Sequence, residues 1–391
     1  MTDHVKVVLI GLGGYGEVYL SALLDEAHGS RCRIVGAVDP QPHTCSRLHE
    51  LQSRGVPVYP MLRDFYRGSS ADLAVISSPI HLHSEHTCYA LTHGSHVLVE
   101  KPAAAMPGDV DRMIEARDRA GLIVAVGFQW SFSRSILQLK RDMLENRFGS
   151  PISARSITLW PRTEDYYRRN DWAGKRRDPH GRWILDSPAS NAMAHFLHNI
   201  LFLLGDHVDR SANPVSIAPR LARANDIETF DTIAARVIVR DKVDLLFLAS
   251  HAVGEAETTE AKFKLEFEDA VVSFPGESAP ITAHLGDGTI LEYESPNFTP
   301  QSEKLWNSVD AISGTSRIPC GLEAARAHTE CIEEIERSEA AVFEFPDDSV
   351  RRDETGEGLL RWVPGLAAMF ERAYTDGVLP DLGGMKLPPN S

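Results

Sequence analysis

Short, continuous apolar runs alternate with segments of helical length over the first 150 residues. VKVVLIG (5–11), IVGAVD (34–39), LAVISS (73–78), HVLVE (96–100) and LIVAVGF (122–128) are rich in Val, Ile and Leu with little polar alternation, the pattern of strands buried on both faces. Segments 15–27, 82–92 and 107–120 between them have helical spacing. Repeated strand–helix–strand order predicts a parallel, doubly wound sheet of the Rossmann kind. Around 145–160 the pattern turns to β-branched alternation, which sets the expected boundary: one domain over 1–150 and a second over 151–391. In the second, a polar loop (161–183) and a long helix (188–204) precede apolar runs at 233–239, 244–250, 262–267, 271–274 and 290–293. With no helices between them, these predict a mostly antiparallel open sheet, so an α+β domain. Helices at 321–337 and 357–375 should cover one face, and the Pro/Gly tail from Leu379 should trail along the surface.

Composition narrows the class. A chain of 391 residues is long for one core, so about two domains are expected. The 40 basic against 55 acidic side chains leave a formal charge of −15, which repels phosphate backbones and argues against nucleic acid as a partner. Five cysteines form no C-x-x-C pair, suggesting neither a zinc knuckle nor a disulfide framework, and fit free thiols in a reducing cytoplasm. No apolar stretch reaches about 18 residues, and the N-terminal run is too short for a signal segment, so no membrane partner is expected.

GLGGYG (11–16) fits G-x-G-x-x-G, follows a strand and opens a helix. Gly11 permits the tight turn, Gly13 the approach of a pyrophosphate and Gly16 close helix–strand packing. Gly14 and Tyr15 complete the loop. Asp39 ends the next strand 23 residues beyond Gly16, where a carboxylate meets ribose hydroxyls and repels a 2′-phosphate. Pro40 and Gln41 offer no cation in exchange, so the predicted cofactor is NAD in preference to NADP. A strand-end cap is the alternative for Asp39. Ser78, Pro79, His83 and Gln129 lie at later strand ends and should face the same crevice. His81, His83 and His86 lack a completing Cys or carboxylate, so no metal is expected.

Glu100, Lys101 and Pro102 then follow the strand 96–100 directly. With the glycine loop and the acidic strand end, the order SSPIHLHSEHTCYALTHGSHVLVEKPAA (77–104) resembles the Gfo/Idh/MocA family, named for glucose-fructose oxidoreductase and inositol dehydrogenase. The resemblance covers most of the chain, more weakly in the second domain. It implies an NAD(P)-dependent dehydrogenase in which Lys101 reaches the substrate hydroxyl and the nicotinamide ribose, with Glu100 and Lys101 at the cofactor and Pro102 following a bond that is cis in some relatives. It also implies a homo-oligomer, a dimer or tetramer, joined through the second domain's sheet.

The physics of that lysine agrees: a cation beside a carbinol stabilises the developing alkoxide. On 188–204, Ser187 is a suitable N-cap with Pro188 at the first position. Asn191, His195 and His198 then share a stripe at i, i+4 and i+7. The family carries an aspartate four residues before a histidine base, so the resemblance makes His195 the base and Asn191 the aspartate's counterpart. Asp186, five residues earlier, is the alternative. An amide orients a hydroxyl but cannot take its proton. Core histidines are the alternative for His195 and His198.

The loop 160–183 crowds Arg162, Arg168, Arg169, Lys175, Arg176, Arg177 and Arg182 among aromatics. It reads either as a substrate lid, with Arg162 on an anionic group, or as a solvated loop or subunit contact. Trp130 is a pocket or a core residue. The substrate class implied is a sugar, cyclitol or sugar derivative oxidised at a secondary alcohol. An NAD-dependent glycosidase that oxidises, eliminates and re-reduces is the second reading.

Overall fold

The computed structural model describes residues 4–239, 242–276, 278–338 and 340–383. Contacts divide the chain into two units, one of residues up to Phe132 with Thr299–Arg326, the other of Ser133–Phe298 with the residues from Ala327 onward. This differs from a single boundary near residue 150. The helix Arg134–Leu144 groups with the second unit, and 299–326 return to the first. The return is anchored where Val126 N–H donates to the Cys320 carbonyl at 2.8 Å.

The first unit is the expected parallel sheet. Its strands are β1 (Val5–Ile10), β2 (Cys32–Val38), β3 (Val58–Tyr59), β4 (Leu73–Ile76), β5 (His96–Val99) and β6 (Val124–Val126), ordered β3-β2-β1-β4-β5-β6. The order reverses between β1 and β4, the switch point outside whose strand ends such sheets bind ligands. Val7 to Ile10 and Leu73 to Ile76 are buried on both faces, which is why those stretches lack polar alternation. Helices Gly16–Asp25, His83–Thr92 and Pro107–Ala120 form the crossovers. The last has proline in its first turn and ends on Gly121 at φ 65°, a left-handed cap that glycine adopts without strain.

The second unit carries a nine-stranded sheet of β7 (Pro151–Leu159), β8 (Pro214–Arg223), β9 (Thr232–Val239), β10 (Asp244–Ser250), β11 (Thr259–Phe267), β12 (Ala270–Phe274), β13 (Ile281–Leu285), β14 (Ile290–Tyr293) and β15 (Val342–Glu344). It is mostly antiparallel, with parallel pairs β7–β10 and β8–β15. The helix Leu366–Asp376 lays Leu366, Phe370 and Ala373 on Ile157, Leu159, Leu246 and Leu248. The helix expected over 357–375 is thus shorter. β17 (Gly358–Trp362) pairs with β16 (Arg351–Thr355) first, because Pro364 and Gly365, the latter at φ 83°, allow a helix only afterwards. Leu379 and Leu382 pack on the core instead of trailing, and the rest of the expected tail, 384–391, lies outside the described residues. Among the described residues no helix is long and apolar enough to cross a membrane.

The expected helix over 188–204 is interrupted. Ser187 does cap it: its Oγ accepts from Ser190 N–H at 3.2 Å while Ser190 Oγ accepts from Ser187 N–H at 3.0 Å. Pro188–Ala192 is then a π-turn, with Met193 N–H donating to the Pro188 carbonyl at 2.8 Å, and the α-helix is Ala194–Leu203.

Candidate functional site

In the first unit the glycine loop is built by exclusion. A Cβ on Gly11, at φ 86°, would stand 2.8 Å from the Ser77 carbonyl, and one on Gly16 would stand 2.2 Å from the Gly11 oxygen. Gly13 meets only the Thr44 side chain. Asp39, 9% exposed, accepts from Leu12 N–H at 2.8 Å through Oδ2 and from Gln41 N–H at 2.7 Å through Oδ1. Each carboxylate oxygen has a further lone pair. A cradle without side chains beside an acceptor-only carboxylate fits the pyrophosphate and ribose diol of NAD.

The E-K-P segment is held from two sides. Pro102 follows a cis bond. Its carbonyl meets His83 Nδ1 at 2.8 Å, and His83 Nε2 meets the Ser78 carbonyl at 2.7 Å. His83, expected at the cofactor, is instead a buried clamp with both nitrogens on carbonyls. Burial pulls its pKa down against those two acceptors. Ser78 Oγ in turn bonds His86 Nδ1 at 3.0 Å.

Glu100 is also turned inward. Its Oε1 accepts from Tyr19 OH and from Lys304 Nζ, each at 2.5 Å, and its Oε2 accepts from Lys101 N–H at 3.2 Å. Lys304 further donates to Tyr15 OH at 3.0 Å and to the Gly127 carbonyl at 3.1 Å. The Glu100 carboxylate and Tyr15 hydroxyl, expected at the cofactor, therefore serve this cluster. Burial lowers the Lys304 pKa and the Glu100 carboxylate opposes it; burial, then Glu100, raises those of Tyr15 and Tyr19. Lys304 was missed because a lysine in a helix's first turn reads as exposed. The available signal was its stripe with Ser308 and Ala311, all buried in Glu303–Ile312. Lys101 and Gln129 remain half-buried, and Trp130 is 4% exposed in the core, the second of its two readings. Among the described residues no three His, Cys, Asp or Glu side chains gather as metal ligands.

The second unit brings Asp186 and Asn191 together: Asn191 Nδ2 donates to Asp186 Oδ1 at 2.7 Å, and Gly174 N–H donates to Oδ2 at 2.7 Å. The π-turn breaks the helical register between Asn191 and His195, so the continuous i, i+4, i+7 stripe does not form. His195 is half-buried. His198 is a core histidine, stacked on Phe202 at 5.8 Å, its pKa driven well down by burial and then by His328 and Lys140.

Most cations of the loop 160–183 find local partners. Arg168 pairs with Glu164 at 2.5 Å, Lys175 with Glu228 at 3.1 Å, Arg176 with Glu336 and Arg182 with Asp178 at 2.7 Å. Arg177 lies 3.2 Å over the Trp183 ring and Arg169 3.7 Å over Tyr166. Arg162 packs 5.0 Å from the Tyr166 ring and lines a cavity of about 530 Å³ with Trp160, Thr163, Glu255, Glu260 and Glu357. His251, which the sequence did not single out, is buried beside this loop and bonds the Trp160 carbonyl through Nδ1 at 2.8 Å. Burial, then Arg162 and Arg169, pushes its pKa down to about 3.

Residues 5–128 match the model of the Gfo/Idh/MocA family, described as an oxidoreductase family with an NAD-binding Rossmann fold. Over these residues the chain is similar to that family's NAD-binding domain. Among the similar proteins, 1-carboxy-3-chloro-3,4-dihydroxycyclohexa-1,5-diene dehydrogenase of Comamonas testosteroni is 29% identical over 140 residues, 36% of this chain and 35% of the relative. Myo-inositol 2-dehydrogenase of Thermotoga maritima is 28% identical over 233 residues, 58% of this chain and 63% of the relative. The chain thus spans less than two thirds of either curated protein. The WlbA dehydrogenase of Bordetella pertussis, solved with NADH and UDP-GlcNAcA, has the same fold: TM-score 0.70 at 21% identity, over 86% of this chain and 96% of that one.

Proposed function

We propose that this protein is an NAD-dependent oxidoreductase acting on a secondary alcohol of a sugar, cyclitol or sugar derivative. The observation that carries the reading is Lys101 at the end of β5, half-buried and fixed through Glu100 and the His83–Pro102 clamp. NAD, when bound, supplies the acceptor for the hydride. The glycine cradle and Asp39 hold it, and the Asp39 carboxylate disfavours a 2′-phosphate. Lys101 stabilises the carbinol oxygen as it gains charge. His195 takes the hydroxyl proton. Asn191, whose Nδ2 donates to the Asp186 carboxylate, orients a hydroxyl. Arg162 and the cavity beside it contribute to substrate selection.

The relatives named above are called dehydrogenases, which supports this reading over the glycosidase. A homo-oligomer and a cytoplasmic location belong to the same proposal, supported by exposed Ile152, Val215 and Ile290 on the open sheet and by five cysteines that form no disulfide. The test is absorbance of reduced nicotinamide with NAD and a panel of sugars, cyclitols, sugar acids and aryl glycosides. Net reduction with a free polyol is expected. Aglycone release without net reduction would replace the reading with the glycosidase.

A further inference from the structure

Lys304 is 1% exposed, a burial that a cationic ammonium tolerates only with full compensation. It has that compensation. An ammonium carries three donors, and the three go to Glu100 Oε1, Tyr15 OH and the Gly127 carbonyl, at 2.5, 3.0 and 3.1 Å. The Tyr15 ring also lies under it, 4.3 Å from Nζ to the centroid. These acceptors sit on three separate segments, each at the carboxyl end of a different strand: Tyr15 in the glycine loop after β1, Glu100 after β5 beside Lys101, and Gly127 after β6, two residues before Gln129. Gly127 lets the cluster close, since a Cβ there would stand 2.6 Å from Glu100 Oε1.

We propose that Lys304 is a positioning residue for the NAD site, its ammonium fixing the glycine loop, the Lys101 segment and the β6 end in one arrangement. It touches neither cofactor nor substrate. This rests on the NAD reading of the first unit, not on the identity of the substrate. The rival is that Lys304 only neutralises a buried carboxylate. In that case removing both charges together should be harmless.

NAD titration of the full-length protein, without turnover, separates the two. Lys304→Met should weaken NAD at least about 10-fold, and because it strands Glu100 its melting temperature should fall as well. Lys304→Met with Glu100→Gln removes the stranded charge and should recover most of the melting temperature. It should leave NAD at least about 5-fold weaker than wild type, because Tyr15 and Gly127 stay unanchored. Wild-type NAD affinity in the double variant would overturn the proposal, as would wild-type affinity in folded Lys304→Met. If the single variant does not fold, the double variant decides alone. A wild-type protein that binds NAD but oxidises no polyol would defeat the dehydrogenase reading while leaving this one standing.

Discussion

Asn191 donates its amide hydrogen to Asp186 at 2.7 Å across a π-turn, so the two side chains act as one unit. Asp186 also accepts the Gly174 N–H. Asp186→Ala would strand two donors, at about 1–3 kcal/mol for each that stays buried. We expect lower stability in urea denaturation together with reduced kcat/KM. Asp186→Asn should retain more of both. Wild-type turnover in the alanine variant would separate this pair from catalysis.

Lys101 should matter to chemistry and little to cofactor binding, since the proposed nucleotide site is the glycine cradle with Asp39. Lys101→Met is expected to lower kcat by about 10²–10³-fold, the usual effect of deleting one group that stabilises a developing oxyanion. The NAD dissociation constant, read by titration, should change little. Near-normal kcat would remove Lys101 from the mechanism.

Asp39 holds the loop through Leu12 and Gln41, and in the proposed site it also faces the ribose. Asp39→Ala should therefore weaken NAD at least about 10-fold, comparable to losing one charge-assisted hydrogen bond. It should also relieve repulsion of a 2′-phosphate. Parallel titrations with NAD and NADP read the ratio. A preserved preference for NAD would mean that discrimination lies elsewhere.

His251 links stability to pH. Its pKa falls from 6.5 to about 3 on folding, so between those values the unfolded chain binds more protons and stability rises with pH. The contribution is complete above pH 6.5 and is lost at about 1.4 kcal/mol per pH unit below it. Going from pH 7 to pH 5, wild type should lose about 2 kcal/mol more than His251→Gln, whose amide can still donate to the Trp160 carbonyl. Equal losses in urea denaturation at the two pH values would contradict the assignment.

What could be read from the sequence was local. The glycine loop, Asp39 and the E-K-P segment announce themselves because their chemistry needs residues adjacent in the chain. Many strands of both sheets follow from continuous or alternating apolar runs, whereas β8, β13 and β15 match none of the runs singled out in the sequence. β3, only two residues long, has no period to read. Lys304 was hidden because its burial is decided by partners far along the chain. His198 was misplaced by assuming that 188–204 keeps one α-helical register, which the π-turn resets. Glu100, Tyr15 and His83 lie in the right segments, but side chains there can turn outward to a ligand or inward to a neighbour, and the partners that turn these inward are not visible in the motif.

The return of 299–326 to the first unit governs the order in which the protein can mature on the ribosome. Glu100 emerges 204 residues before the ammonium that neutralises it, an interval of about 10–40 s at ordinary elongation rates. Through that time the nascent β6 edge also lacks the Cys320 carbonyl that later covers it. The nucleotide-binding unit is thus completed only after residues 133–298 of the second unit have been made.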